Sequence, residues 1–223
     1  MVCLSSGENL LILLVLGASL LSIFCRYRSE SLYRLAKPIP LFLIIGFYLC
    51  RLARVPESSF FAVVMLLGLA GGVTGDILLL FPRGFLPGLA AFLAGHIFYI
   101  LGFTAARPGI SLLVLVPVLL LTLSFAALLL RRMEPSRRKT YSVPILLYVT
   151  AIALLFATAL GYERGGDSHP PWFTTGALLF GISDGILAWN RFARPFPSAQ
   201  FLILSTYYTA QILIGFKAIR LLG

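Results

Sequence analysis

The sequence predicts an all-α fold: a polytopic membrane bundle of eight transmembrane helices that forms a single domain over residues 1–223. Hydrophobic residues make up 59% of the chain and charged residues only 12%, whereas an average soluble domain has about 25% charged residues. The apolar residues fall into long uncharged runs of a length that crosses a bilayer. Only helices satisfy their own backbone hydrogen bonds in lipid at such lengths, so these runs predict helices.

Eight apolar runs define the predicted spans, and the connections between them are short. The runs cover residues 10–25, 38–50, 60–81, 85–105, 110–130, 141–160, 171–190 and 198–216. The second run is short, so Lys37 and Arg51 at its ends would have to extend toward the headgroups. The N-terminus lacks the basic region of a cleaved signal peptide, and Arg26 and Arg28 follow the first run. This pattern indicates a retained first span.

The positions of the Lys and Arg residues predict how the chain is oriented. The net charge is +10, yet the 18 basic residues lie almost entirely between the apolar runs. We therefore expect contact with anionic lipid headgroups and no nucleic acid partner. Connections after the odd-numbered spans carry 12 of the 18 basic residues. Because basic loops stay on the cytosolic side, this face is predicted to be cytosolic, with both termini opposite.

No spacing of cysteine or histidine in the sequence is typical of a metal site. Cys3, Cys25 and Cys50 are odd in number and are expected to be free thiols. The sequence also lacks an HExxH motif, a GxSxG elbow and a Walker-type glycine loop. We therefore predict no metal, no cofactor and no covalent serine chemistry.

Two acidic residues lie inside predicted spans, Asp76 in the third and Asp184 in the seventh. The other six of the eight acidic residues lie in predicted tails or loops. A carboxyl group at membrane depth costs at least about 2.5 kcal/mol, so intramembrane acids are functional candidates by default. The alternative is that each only makes an interhelical hydrogen bond. We interpret Asp76 and Asp184 as the candidate catalytic residues.

The predicted helix directions place both aspartates at a similar depth. The third and seventh spans run in the same direction, and at about 1.5 Å per residue each aspartate lies roughly 10 Å inside the same face. Gly75 and Ser183 precede them, and small residues permit close helix approach or leave room for a ligand. The sequence therefore predicts that the two carboxyl groups share one pocket, open to the basic face.

Other polar side chains are predicted near the same face and form the candidate set for substrate binding or support. Each also has a plainer interpretation: a core histidine, an interfacial aromatic residue, a snorkelling lysine, a small packing residue or a helix cap. The set comprises Lys37, His96, Tyr99, Ser183, Asn190, Tyr207, Tyr208 and Gln211.

An internal similarity makes a four-plus-four duplication one interpretation of the chain. TGDILLLFPRGF, residues 74–85, resembles SDGILAWNRFARPF, residues 183–196. Each segment has an aspartate, then an apolar turn, then Arg and Pro at the helix exit. The two segments are four spans apart, as a duplication of four helices would place them.

Five short motifs are informative through their order and spacing. They are Lys37-Pro38, Gly75-Asp76, GLAAFLAGHIFY with His96 and Tyr99, SDGILAW and TYYTAQILI. Together they resemble the YhhN-like lysoplasmalogenase family of eight-span membrane proteins, and more closely its vertebrate members. The resemblance implies hydrolysis of the vinyl ether bond of lysoplasmalogens in the endoplasmic reticulum membrane. The implied products are a fatty aldehyde and glycerophosphocholine or glycerophosphoethanolamine.

The reaction implied by the resemblance suits a pair of carboxyl groups. A vinyl ether hydrolyses after protonation of its β-carbon, and water then captures the oxocarbenium ion. These steps need a proton donor, a negative charge near the cation and a base for water. Two carboxyl groups close together in a low dielectric divide into one protonated and one ionised group, as in glycoside hydrolysis. Either assignment of the two roles fits the sequence.

The expected partners are a lysophospholipid substrate and membrane lipids. A second copy of the chain, in a homodimer, is a further candidate partner. Lys37 and the basic face are expected to receive the substrate phosphate.

Two other functions fit parts of the sequence pattern. Intramembrane carboxyl groups with a histidine also form proton relays, so a proton-coupled transporter is one alternative. A non-catalytic lipid-binding membrane protein is the other.

Overall fold

The computed structural model describes residues 6–55, 59–107, 109–165 and 170–222, and these ranges are almost entirely helical. They contain nine helices and no strand. In chain order these are α1 (Ser6–Arg28), α2 (Glu30–Ala36), α3 (Ile39–Leu52), α4 (Phe60–Leu78), α5 (Phe85–Ala106), α6 (Leu112–Arg132), α7 (Pro135–Arg164), α8 (Trp172–Phe192) and α9 (Ala199–Arg220).

Seven helical segments in the described ranges are long and apolar enough to cross a membrane. They are α1, the joined segment Glu30–Leu52 that contains α2 and α3, α4, α5, α6, α7 and α9. The seventh predicted span forms α8, which has 21 residues and a more polar composition because it contains Asp184, Asn190 and Arg191. The predicted helical membrane bundle is thereby confirmed.

The second span differs from the prediction, because it begins as a separate short helix. Residues 26–37 were expected to be a loop, but most of them belong to the end of α1 and to α2. The Ser29 hydroxyl caps α2 by accepting the Leu32 N–H at 3.5 Å. Pro38 and Pro40 then end one helix and start the next, since proline lacks an N–H and fits a first helical turn. The break leaves Lys37 at the junction.

Helix α7 is longer than the predicted span 141–160. It runs from Pro135 to Arg164 and has 30 residues, so it is about 45 Å long, whereas the hydrocarbon layer is about 30 Å thick. Its first turns carry Arg137, Arg138 and Lys139, and their exposed charges account for the extra length outside the apolar layer. The basic segment expected to be a loop is therefore largely helical.

The described chain divides into two compact units. The first unit comprises Met1–Phe98 with Gln211–Gly223, and the second comprises Tyr99–Ala210. In the first unit, Ile44 and Leu69 pack against Gly215 of α9. In the second unit, an apolar cluster centres on Leu129 and Ile145 and continues onto α8. The single domain and the internal duplication stay predictions.

Glycines let α4 and α5 approach closely within the first unit. A Cβ atom added at Gly71 would lie 2.7 Å from the Cα atom of Gly95 and 2.9 Å from the carbonyl oxygen of Ala91. One added at Gly95 would lie 2.9 Å from the carbonyl oxygen of Gly68. No side chain fits between these backbones, which is the packing mode of small residues in membrane helices. The contact fixes α5 against the helix that carries Asp76.

A buried acid joins α7 to α8 in the second unit. The Glu163 carboxylate accepts the N–H groups of Phe173 at 2.8 Å and Thr174 at 3.0 Å, and the Thr174 hydroxyl also donates to it. These N–H groups belong to the first turn of α8 and have no partner within their own helix. Glu163 was expected in a loop, but it lies in the last turn of α7 and caps the next helix.

Alanine at Gly71 should destabilise the protein, whereas alanine at Gly46 should not. The Gly71→Ala methyl group would collide with backbone atoms of α5, and such overpacking costs about 1–3 kcal/mol. A Cβ atom at Gly46 meets nothing within 4 Å, so Gly46→Ala should keep or slightly raise stability through its better helix propensity. Thermal unfolding in detergent measures both variants. Equal unfolding temperatures would contradict the close α4–α5 contact.

Candidate active site

Asp76 lies in the last turn of α4 and forms an ion pair with Lys37. The Lys37 Nζ atom is 3.3 Å from Asp76 Oδ1, and the two side chains are only 7% and 1% exposed. The same ammonium group donates to the backbone carbonyl oxygen of Asp76 at 3.3 Å. One cation therefore contacts both the side chain and the main chain of a single residue.

The position of Lys37 follows from the helix break and from the polarity of α4. Carbonyl groups in the last turn of a helix have no intrahelical donor and carry partial negative charge, so a cation is favourable there. A buried ammonium group also requires a counter-ion. Lys37 meets both conditions at the end of α4. The snorkelling position expected for Lys37 is therefore wrong, because the side chain is buried and points to Asp76.

Tyr33 belongs beside this pair, although the sequence interpretation did not include it. It is buried in α2, one helical turn before Lys37, and lies within electrostatic range of the Asp76 carboxylate. The Arg26 guanidinium lies over its ring, 5.2 Å from the centroid. The i, i+4 spacing of Tyr33 and Lys37 was the available signal. The sequence predicted a loop over this segment, and the i, i+4 spacing indicates a shared face only in a helix.

Two further predicted site residues are buried in the same unit as Asp76. His96 is 2% exposed on α5 and Gln211 is 1% exposed on α9. His96 directly follows Gly95, so the close α4–α5 contact fixes its backbone. Burial of an imidazole and an amide in an apolar bundle is costly unless they are hydrogen-bonded. Both residues stay in the candidate set.

Asp184 lies on α8 in the second unit and accepts a hydrogen bond from Tyr148. The Tyr148 hydroxyl on α7 donates to Asp184 Oδ2 at 2.9 Å. Tyr148 is 6% exposed, and Asp184 is half-buried. The sequence interpretation did not include Tyr148. Its position in the middle of a predicted span could have indicated a polar contact, because a buried tyrosine hydroxyl normally requires a polar partner.

Ser183 and Asn190 hold α8 through their backbone partners. The Ser183 hydroxyl donates to the carbonyl oxygen of Ile203 on α9 at 3.1 Å. Asn190 Oδ1 accepts the N–H of Phe196 at 3.1 Å and so closes the turn after α8. Ser183 thereby fixes the neighbouring residue Asp184 relative to α9. The contact of Asn190 favours its plainer interpretation as a helix cap.

The predicted tyrosines of the second unit form a chain of aromatic contacts through α8. Tyr99 stacks on Phe180 with the ring centroids 6.4 Å apart. Phe180 contacts Tyr207 at 5.9 Å, and Tyr207 contacts Tyr208 at 5.4 Å. All four residues are buried. These rings pack α8, one turn before Asp184, against neighbouring elements of the unit.

The two aspartates therefore have partners of different chemistry. Asp76 contacts an ammonium group, and Asp184 contacts a neutral hydroxyl group. Such carboxyl groups are suited to proton transfer and to stabilisation of a cation. Asp76 belongs to the first unit and Asp184 to the second, and the shared pocket stays a prediction. Within the described ranges, no three His, Cys, Asp or Glu residues form a group that would hold a metal ion.

Comparisons with known proteins add a family and named relatives. The sequence profile of the YhhN family matches residues 32–218. Lysoplasmalogenase TMEM86B of Homo sapiens is 35% identical over 190 residues, which is 83% of this chain and 75% of that protein. Lysoplasmalogenase TMEM86B of Sus scrofa is 42% identical over 145 residues, or 63% and 57% of the two chains. Lysoplasmalogenase TMEM86A of Homo sapiens is 30% identical over 196 residues, or 83% and 78%. No solved structure matches the chain with significance.

Removal of the Lys37 charge should destabilise the protein more than removal of the Arg51 charge. Lys37→Met would leave the Asp76 carboxylate buried without its cation, and breaking a buried pair in this way costs about 3–5 kcal/mol. Arg51 pairs with Glu8 at a similar distance, 3.2 Å, but these side chains are 23% and 11% exposed. Thermal unfolding in detergent compares the unfolding temperatures of Lys37→Met and Arg51→Met. Equal losses in the two variants would contradict the prediction.

A double variant tests the same ion pair by a second route. Adding Asp76→Asn to Lys37→Met removes the uncompensated charge, so part of the lost stability should return. If the double variant were less stable than Lys37→Met by the full effect of Asp76→Asn, the two residues would be energetically independent. That result would contradict the ion pair.

Proposed function

The chain belongs to the YhhN family, and on that premise we propose that it is a lysoplasmalogenase, a membrane hydrolase that cleaves the vinyl ether bond of lysoplasmalogens. The proposed products are a fatty aldehyde and glycerophosphocholine or glycerophosphoethanolamine. The observation that carries the proposal is the identity of 35% to the human lysoplasmalogenase TMEM86B over 83% of this chain. Both intramembrane aspartates fall inside the residues that the family profile matches.

The proposed reaction proceeds by acid–base catalysis at Asp76 and Asp184. A proton is added to the β-carbon of the vinyl ether, and the electron pair of the double bond forms the new C–H bond. Water then adds to the oxocarbenium carbon and gives up a proton to a base. The hemiacetal loses its bond to the glycerol oxygen, which takes a proton while the hemiacetal hydroxyl releases one. Paired carboxyl groups perform the corresponding transfers in glycoside hydrolysis.

The burial and partners of the two acids support this chemistry. A low dielectric strengthens each electrostatic interaction with a developing oxocarbenium ion. The buried Lys37 ammonium group stabilises the ionised form of the Asp76 carboxyl group. Lys37 was expected to receive the substrate phosphate, but its ammonium group contacts Asp76, so we propose that the other basic residues between the spans receive the phosphate. His96 and Gln211, both buried, remain candidates for orienting water in the first unit.

The substrate also suits a protein of this composition. A long alkenyl chain is soluble in the bilayer, so a catalyst made of apolar helices can take the lipid without extracting it into water. We propose that the protein lies in the endoplasmic reticulum membrane with its active-site face cytosolic. This orientation follows from the 12 of 18 basic residues placed after odd-numbered spans.

Asparagine at either aspartate should strongly lower the turnover of the folded protein, and Asp76→Asn should also lower stability because it leaves Lys37 without its counter-ion. Asp76→Asn and Asp184→Asn keep side-chain size but cannot exchange a proton, and loss of a general acid or base costs about 10²–10⁴-fold in rate. The assay measures free aldehyde released from lysoplasmenylcholine by purified protein in detergent. Full activity in either variant would reassign that residue to a structural role.

The matched control for this experiment is an acid outside the candidate site. Glu30→Gln removes a carboxylate whose side chain is 69% exposed and paired with Arg34 on the surface of α2, so aldehyde release should be unchanged. Size-exclusion profiles and unfolding temperatures show whether each variant is folded. Wild-type protein that releases no aldehyde, but takes up a solute into proteoliposomes when a proton gradient is applied, would contradict the hydrolase proposal. The function would then be that of a proton-coupled transporter.

A further inference from the structure

We infer that Arg26 binds the phosphate group of the lysoplasmalogen substrate beside Asp76. This inference rests on the proposed function and names the residue that receives the headgroup. It concerns the first unit alone, since each residue that carries it belongs to Met1–Phe98. Arg26 precedes residues 32–218, which the family profile matches, so membership of the family assigns it no role.

A series of contacts connects Arg26 with Asp76. Lys37 Nζ lies 3.3 Å from Asp76 Oδ1. The Lys37 N–H donates to the Tyr33 carbonyl oxygen at 2.9 Å, so helical geometry holds these two residues on one face of α2. The Arg26 guanidinium carbon lies 5.2 Å from the centre of the Tyr33 ring. The end of α1 therefore brings a guanidinium group close to the candidate acid.

The dimensions of this series are comparable to those of the substrate. Tyr33 and Lys37 are four residues apart, which is about 6 Å along a helix. In a lysoplasmalogen, seven bonds through the glycerol backbone separate the vinyl β-carbon from phosphorus, and an extended chain of this length spans roughly 8 Å. A substrate whose vinyl ether lies at Asp76 therefore reaches the level of Tyr33 and Arg26 with its phosphate.

The chemistry of a guanidinium group suits a phosphodiester. It carries five N–H donors in a planar fork that fits phosphate oxygens in pairs. Contact of its face with an aromatic ring leaves the N–H groups at its edge able to donate. Arg26 has further contacts in the protein besides the Tyr33 ring, and a fork of five donors serves several acceptors at once. Its half-buried position strengthens a bond to phosphate relative to a fully exposed one.

Neighbouring basic side chains at this end of the first unit have other positions. The Lys37 ammonium group belongs to the buried ion pair, and Arg34 forms an exposed ion pair on the surface of α2. Arg28 is exposed at the end of α1, and Arg83 is exposed in the turn after α4. Arg26 differs from them because it is half-buried and lies over a residue within electrostatic range of the acid.

A phosphodiester at the membrane surface is present both in the substrate and in ordinary bilayer lipids. The place of Arg26 near the candidate acid favours the substrate, because catalysis requires the vinyl ether to lie at that acid. The experiment therefore uses uncharged detergent without phospholipid and a buffer without phosphate. Under these conditions the substrate is the only source of a phosphate group.

The test compares two substrates in wild type and Arg26→Gln. Lysoplasmenylcholine carries the phosphate, and alkenylglycerol has the same vinyl ether without it. We expect Arg26→Gln to raise KM for lysoplasmenylcholine about 10- to 100-fold and to leave kcat/KM for alkenylglycerol as in wild type. Lys217→Gln is the control. It removes a charge from the last turn of α9 in the same unit, where the side chain is also half-buried, and both substrates should react as in wild type.

A binding measurement tests phosphate recognition without turnover. Alkylglycerophosphocholine has a saturated ether and therefore has no vinyl carbon to protonate. Its dissociation constant, measured with tritiated ligand on immobilised protein, should rise in Arg26→Gln by about the same factor as KM. Arg26→Lys should recover part of the affinity, because lysine keeps the charge but lacks the planar fork.

The kinetic outcomes decide whether the phosphate role stands. If Arg26→Gln lowers kcat/KM equally for the two substrates, the residue acts through the acid or the fold, and the phosphate role is overturned while the proposed function stands. An equal rise of KM in Arg28→Gln would show general attraction to positive charge and would also overturn it. An effect that appears only after phosphatidylglycerol is added would assign Arg26 to a bilayer lipid instead.

The proposed function and this inference fail in different ways. If wild type releases no aldehyde from either substrate, the proposed function is contradicted. The dissociation constant of alkylglycerophosphocholine still decides the inference in that case. An unchanged constant in Arg26→Gln would overturn phosphate binding by Arg26, whether or not the protein is a hydrolase.

Discussion

The ion pair of Lys37 and Asp76 sets the structure of the first unit. Each charge alone would be costly to bury, so the break between α2 and α3 and the end of α4 must lie where the two groups meet. The same ammonium group also donates to the Asp76 carbonyl oxygen, so it fixes the main chain at the end of α4 as well as the side chain. Close packing of Gly71 against Gly95 then places α5, with His96, against the helix that ends in this pair.

The two intramembrane acids lie in similar sequence segments but contact different partners. The segments that contain them resemble each other, with the same order of Asp, apolar turn and basic exit. A cation fixes the charge of Asp76, while a hydroxyl fixes the direction of Asp184 without supplying a charge. The proposed reaction needs one group that gives a proton and one that takes a proton, and different partners are one way to distinguish two carboxyl groups.

Most of the helices and both aspartates could be predicted from sequence, because lipid imposes strong constraints. Helical spans follow from apolar length, and an acid inside such a span stands out against its neighbours. Helix α2 was missed because seven residues that include Ser, Glu and Arg give no membrane-length signal. The partners Tyr33 and Tyr148 were missed for a different reason. Which side of a helix faces which neighbour depends on packing, and the apolar residues around Tyr148 occur on all sides of α7.

The cap on α8 comes from the helix that precedes it in the chain. Glu163 supplies the acceptors from the last turn of α7, and Pro171 at the N-cap position makes no side-chain capping bond. The start of α8 is therefore held by the helix before it, so the place where α7 ends determines where α8 begins.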